Sequence, residues 1–440
     1  MSLSSSKTSQ KIGLLTATFL VAAVMIGNGI YTSLGIQLLH VSSGFGILAL
    51  WALAGVVALC GALCYAEIAS QLPHSGGDYY YLMHIYHPAL GVMAGIITLL
   101  AGFVAPISLA SMAFGKYVQD FLPGIPPMLS SMLLVTVITI THLLDWRISV
   151  FFQNTLTTLK FLLIAAILCF GFSRTTLPLT LLLPSKTILL DLLKPSSGVV
   201  LLFCFYAYSG WNSSIYIADH IIAARRTIGW SLVLGTFFVT TLYLLLNTLF
   251  LLAVPKSTLC GKIDVATIVA THLFGPKGGF FIALLIAIGL ISGVSGMIWI
   301  APSMIQAMGR DLPALHWLSL LSPKKHLPIR STLFQYVLTM LCLATGSFKA
   351  VLLSTQVPVI FSSMLGVLGV IVLRSGHGFD FSKGFRSPLY PLPALIFIAL
   401  SILALLYTTM TNPLEAGIGF LIILGALGCY PLLCAQKRRP

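Results

Sequence analysis

Charge is what this chain has least of. Only 8% of its 440 residues are charged, against about 25% in a soluble domain, and just ten of them are Asp or Glu. With 58% hydrophobic residues, no soluble fold hides so much apolar surface, so the chain reads as a polytopic membrane protein. Acids are too sparse to supply the paired carboxylates or His–acid cluster of an enzyme working at the membrane interface. A pore ring or filter repeat of the kind a channel uses is also missing. Eight cysteines are present, but no His or acid accompanies Cys60 and Cys64 in a metal-like spacing, and most of the eight lie in apolar segments as small packing residues. No metal and no cofactor is expected. A cleavable signal peptide is not evident, because Met1 to Lys11 is polar and Ser-rich and the apolar stretch that follows is too long for an h-region.

The net charge of +14 comes from basic residues scattered over short loops. That pattern suits a topology signal beside an anionic membrane surface better than nucleic-acid binding. Apolar segments of about twenty residues fall near 13–38, 44–70, 89–115, 126–144, 148–172, 196–222, 229–254, 279–307, 331–347, 350–373, 391–410 and 414–434. Twelve crossings put both termini on one side. With a cytoplasmic N-terminus the inner loops carry about fifteen basic residues, from Lys7 to Arg439, and the outer loops about eight, including Lys186 and Lys256. The longest polar connections, near 309–330 and 374–390, leave no room for a soluble catalytic domain. A cell-membrane protein with both termini in the cytoplasm is expected.

Inside the first segment lies Gly27-Asn28-Gly29-Ile30-Tyr31, and inside the sixth Tyr208-Ser209-Gly210-Trp211-Asn212. Glycines flanking a polar residue are poor helix formers. A broken helix in hydrocarbon frees N–H and C=O groups at a cost of several kcal/mol each, tolerated only where protein, water or a ligand takes them up. The two breaks occupy matching places if the chain holds two five-helix units, the second inverted, with units at 13–172 and 196–373 and accessory helices at 391–434. N–H groups near Ile30 and Tyr31 favour a carboxylate. Carbonyls near Met25 and Ile26, and from Cys204 to Tyr208, attract an ammonium. A simpler reading of the glycines is close helix packing.

One motif identifies a family. Tyr65-Ala66-Glu67, followed by Pro73-His74-Ser75-Gly76-Gly77-Asp78-Tyr79, resembles the signature of the amino acid–polyamine–organocation superfamily. The run from Ala207 to Asn212 resembles the sixth-helix break of its L-type amino acid transporters, Ala307-Met308-Gly309-Arg310-Asp311 a run after its eighth helix, and the first break its Gly-Ser-Gly-Ile-Phe, with Asn28 in place of Ser. The resemblance implies an all-α membrane protein of twelve helices, a LeuT-like five-plus-five inverted repeat with two extra helices, and secondary transport of amino acids or amines by alternating access. It places substrate on Ile26, Gly27, Asn28, Gly29, Ile30, Tyr208, Ser209, Gly210 and Met297, with Tyr206 either the aromatic that closes over it or a ring packed between helices.

Lys160 sits in the middle of the fifth segment, where a cation costs roughly 2.5–3.5 kcal/mol and is functional by default. By resemblance it reaches the first helix beside its break, where sodium-driven relatives bind an ion. It either substitutes for that cation, with or without carrying a proton, or is a static tether. Glu67 is a gate or a loop anchor. Trp211 is expected to wedge the scaffold, and the solvated His84 and His87 to bind nothing. Ala223-Ala224 replaces the family's Glu-Glu beyond Asp219 and His220, which puts gating there in doubt. Because no acid lies in the first, third, sixth or eighth helix cores, a neutral substrate is favoured. Exchange of one amine for another is the alternative to symport, and the oligomeric state is left open.

Overall fold

The computed structural model describes residues 11–27, 29–41, 43–122, 124–175, 177–184, 194–262, 264–344, 348–376 and 384–434. Asn28 lies outside them, as do Lys7, Lys186, Lys383, Lys437, Arg438 and Arg439. The described chain is all-helical apart from one isolated backbone bridge, between Ile12 and Ile221. Its helices are α1 (Leu14–Met25), α2 (Gly29–Gln37), α3 (Gly44–Gln71), α4 (Asp78–Ile85), α5 (Pro88–Ile97), α6 (Ala105–Phe121), α7 (Pro127–Leu144), α8 (Trp146–Phe172), α9 (Pro195–Tyr208), α10 (Ala224–Ala253), α11 (Lys256–Leu259), α12 (Val265–Asp311), α13 (Ile329–Ala344), α14 (Phe348–Ser375), α15 (Leu392–Thr411) and α16 (Pro413–Cys434).

Ten spans among the described residues are long and apolar enough to cross a membrane. They fill ten of the twelve expected places. The short apolar helix α13 fills the ninth, and α9 with the 3-10 segment Ser213–His220 fills the sixth. Leu162, Phe170, Met410 and Leu421 stand exposed on outer faces, as hydrocarbon contact requires.

Several expected segments differ in detail. The third runs to Phe121 and contains a π-helical stretch, Thr98–Val104, between α5 and α6. Such widened turns open a helix beside functional groups. The eighth begins earlier, at Val265, and turns at Gly275, whose φ of +75° only glycine adopts readily, before Pro276 restarts the helix. α4 was not expected, since its eight residues are too short and polar to read as a span. Gly77, with φ +57°, turns the chain into it, and a Cβ there would overlap the Tyr216 ring.

Two long helices carry the core. α3 starts on Ser43, whose hydroxyl accepts from the Gly46 N–H, and it packs along α10. At Gly55 a side chain would lie 2.4 Å from Thr240 Cγ2. α1 lies on the other flank of α10, with Gly235 against Val21. Near the end of α3, Glu67 is 1% exposed and takes a bidentate pair from Arg374 at 2.6 and 2.8 Å, plus the Ser387 N–H at 2.8 Å. Arg374 lies 3.8 Å over the Tyr390 ring. Glu67 therefore ties the connection between α14 and α15 to α3. Removing Glu67 leaves the half-buried Arg374 guanidinium and the Ser387 N–H without their acceptor, at a cost of about 3 kcal/mol. Glu67→Ala is expected to lower the melting temperature in detergent by several degrees, and an unchanged melting curve would remove the anchor assignment.

Candidate functional site

The two breaks are real and they touch. After Met25 the backbone leaves the helix at Ile26 (ψ 83°), the Gly27 N–H turns back to the Met25 carbonyl at 2.9 Å, and the helix resumes at Gly29. α9 ends at Tyr208. Ser209 is extended (ψ 144°) and Gly210 has φ +96°, after which Ser213 bonds back to the Gly210 carbonyl at 3.0 Å. A Cβ on Gly210 would sit 2.7 Å from Val24 Cγ1, and one on Gly29 would sit 2.9 Å from Ala207 Cβ. Close packing and broken helices are thus one feature, because the glycines let the severed ends abut.

The freed carbonyls have partners. Lys160, fully buried on α8, reaches α1 as expected and donates Nζ to the carbonyls of Ala23 at 3.1 Å and Ile26 at 2.8 Å. Gly289 on α12 faces its stem, a Cβ there lying 3.7 Å from Lys160 Cε. Tyr243 on α10 bridges both breaks, its hydroxyl lying 2.7 Å from the Met25 carbonyl and 2.9 Å from that of Ala207. The sequence gives no hint of Tyr243, since a single tyrosine among Leu and Thr in an apolar span is ordinary. These carbonyls were expected to be open to an ammonium. Each already accepts a bond, though an oxygen with two lone pairs can take another. At the other pole the N–H groups of Gly29, Ile30 and Tyr31 have no acceptor among the described residues.

A cavity of about 90 Å³, room for several waters, opens beside the second break. Tyr208, Ser209 and Gly210 line it with Val24, Trp211, Asn212 and Phe205. Ile26, Gly27, Gly29, Ile30, Tyr206 and Met297 are not among its lining residues. Ile26 and Ile30 are fully buried in the packing, Tyr206 Cδ1 lies 3.5 Å from where a Gly29 Cβ would be, and Met297 presents its carbonyl to Gln335 at 3.4 Å. Tyr208 directs its hydroxyl to the Trp51 carbonyl at 3.1 Å. Trp211 wedges edge-on against Tyr65 and Phe397 while forming part of the wall. The cavity also reaches Asp78, an acid that enters from the connection after α3 and so escapes a search of helix cores. No acid lies in the first, third, sixth or eighth helix cores among the described residues, but the cavity wall does include this one from outside them.

Below the breaks, at the face holding residue 12, several elements close together. The Ile12 N–H bonds to the His220 carbonyl at 2.8 Å and the Ile222 N–H to the Ile12 carbonyl at 3.0 Å. Asp219 lies 3.4 Å from His74 and 3.8 Å from Arg310, and its N–H donates to the Ser75 hydroxyl oxygen at 2.9 Å. These contacts form around Asp219 although Ala223-Ala224 stands where the family has Glu-Glu. Each ion pair is exposed and individually weak. Among the described residues no cluster of three His, Cys, Asp or Glu side chains could hold a metal ion. His84 bonds only to the Tyr80 carbonyl, and His87 caps α5.

Known proteins place the chain. It is 24% identical over 418 residues to the mouse b(0,+)-type amino acid transporter 1, covering 92% of this chain and 83% of the relative. It is 26% identical over 446 residues to the human large neutral amino acids transporter small subunit 2, covering 98% and 82%. It is 25% identical over 438 residues to the human cystine/glutamate transporter, covering 98% and 86%. Residues 12–428 match the amino acid permease family, and the chain belongs to that family of membrane transporters.

Proposed function

We propose that the chain moves amino acids across the cell membrane by alternating access, binding the zwitterionic head between the two breaks. One observation carries this reading. The open N–H groups at the start of α2 and the carbonyl ends of α1 and α9 meet at one place, with Gly29 against Ala207 and Gly210 against Val24. A carboxylate suits the first set and an ammonium the second. Ile26, Gly27, Asn28, Gly29, Ile30, Ser209 and Gly210 form the head-group cradle, Tyr206 closes over it, and Met297 faces the substrate from the eighth span. The helices fall into inverted units at 13–172 and 196–373, with 391–434 accessory. Both termini face the cytoplasm, and the Asp219 contacts with His74 and Arg310 form the inner gate.

Lys160 stands in for a bound cation. A fixed positive charge beside the α1 carbonyls does the holding that a sodium ion would do, so transport needs no external sodium. Its hydrogen-bond partners are two carbonyls, and no carboxylate pairs it among the described residues. That favours the second reading, exchange of one amino acid for another, in which Lys160 keeps its charge through the cycle and no ion moves.

Uptake by proteoliposomes tests the reading. A panel of amino acids and amines, with and without a pH gradient, is expected to give saturable uptake of amino acids only, and channel-like single openings in electrical recordings would contradict it. Acceleration by amino acid loaded inside, without a pH gradient, would select exchange. Lys160→Ala is expected to abolish uptake, and uptake at the wild-type rate would remove Lys160 from the mechanism. Lys160→Met retaining pH-dependent uptake would remove a proton-carrying role alone. Tyr243→Phe deletes two hydrogen bonds at the breaks and is expected to cut uptake about tenfold at equal expression. Wild-type uptake would show that its bridge serves packing only.

A further inference from the structure

The connection between the second span and α4 grips the segment that follows the sixth-span break. Asp78, the first residue of α4, is 4% exposed. Its Oδ2 accepts from Tyr216 at 2.8 Å and Asn212 at 3.4 Å, both in that segment, and from Thr98 of the third span at 3.5 Å. Tyr65 of the second span donates to Oδ1. Asn212 also donates to the Tyr216 hydroxyl at 3.2 Å, so Asp78, Asn212 and Tyr216 form a closed triangle of bonds. Gly77 leaves the space that the Tyr216 ring fills, and the Ser75 hydroxyl accepts from the Asp219 N–H at 2.9 Å. Residues 75–78 thus hold residues 212–219 at three points.

Asp78 supplies the only charge in these bonds. Every donor to it is neutral, and no basic side chain pairs it among the described residues. A carboxylate buried without a counter-charge is costly, and its donors offset that cost as a group. Two of the four, Tyr216 and Asn212, leave together if their segment moves. The same segment carries Asp219, with its contacts to His74 and Arg310, and His220, whose carbonyl accepts from the Ile12 N–H. Asp78 also lines the cavity, from which water can replace the two lost donors. Bonds that are strong while buried and replaceable once wetted suit a contact made and broken in every cycle.

We propose that the Asp78 carboxylate is the latch that holds the segment after the sixth-span break against the second and third spans, and that inward opening begins when Tyr216 and Asn212 leave it. Asp78 is then a positioning residue, acting on the inner closure through Tyr216 rather than on substrate. Its part in transport rests on the alternating-access reading given above, whereas the latch itself does not.

Hydrogen exchange in the full-length protein in lipid nanodiscs, without amino acid, tests the assignment. The Asp219 and Ile222 amides, bonded to Ser75 and Ile12, report whether the segment is held, and both are expected to be protected in wild type. Tyr216→Phe deletes one bond to the carboxylate and is expected to speed their exchange about ten- to a hundredfold, the range for a hydrogen bond to a charged group, with amides in the middle of α10 unchanged. Asp78→Asn is expected to do at least as much. Adding Tyr216→Phe to it is expected to change exchange by less than about threefold, since both remove the same bond. Unprotected amides in wild type, or wild-type exchange in Tyr216→Phe, overturn the proposal, as does a double variant whose effects multiply. Faster exchange throughout α10 in Tyr216→Phe also overturns it, by assigning the bond to overall stability. A wild-type protein that takes up no amino acid overturns the transport reading, and the latch stands if Tyr216→Phe still frees the two amides.

Discussion

The constraint on which the rest of this molecule depends is that broken backbone inside hydrocarbon must find partners. α1 stops at Met25 and α9 at Tyr208, in spans that the chain's composition commits to a bilayer. Left alone, each freed N–H or C=O would cost several kcal/mol. Two side chains from outside the breaks take up four of the freed carbonyls. Lys160 takes Ala23 and Ile26, and Tyr243 takes Met25 and Ala207. Among the described residues the amide half is left open at Gly29, Ile30 and Tyr31. That asymmetry gives the site its polarity, with unfilled donors on one side and acceptors already half engaged on the other.

The surrounding helices make sense as the means of holding this arrangement still. α10 carries Tyr243 to the junction and packs α3 on one flank and α1 on the other, through Gly55 and Gly235. α8 carries Lys160, and α12 passes beside it at Gly289. Glu67 ties the connection after α14 back to α3. The cavity wall includes residues of the segment after the sixth break, so a shift of that segment changes both the cavity and the contacts around Asp219.

Much of this was legible in the sequence, for identifiable reasons. Spans announce themselves by apolar length, and breaks by glycines beside polar residues where helix is otherwise continuous. Lys160 stood out because a cation at that depth is costly. Glu67 and Asp78 sit in a specific motif, yet the motif does not say that one meets Arg374 and the other faces a cavity, because both contacts join residues far apart in the chain. Tyr243 was invisible for the same reason, its role resting on which two carbonyls happen to lie within reach. The π-helical stretch at Thr98–Val104 and the turn at Gly275 leave no mark on hydropathy, since the composition stays apolar across them. The assignments of Tyr206 and Met297 rest on resemblance, and those of Ile26 and Ile30 on the polarity of the first break. Which of them touches substrate depends on a packing geometry that apolar pattern does not encode.

The most direct measurement of the central claim is an experimental structure with an amino acid bound. The account predicts carboxylate density within hydrogen-bond distance of the N–H groups of Gly29 to Tyr31, with Lys160 and Tyr243 still on the α1 carbonyls. An unbroken helix through residues 25–31, or a ligand seated away from both breaks, would contradict it.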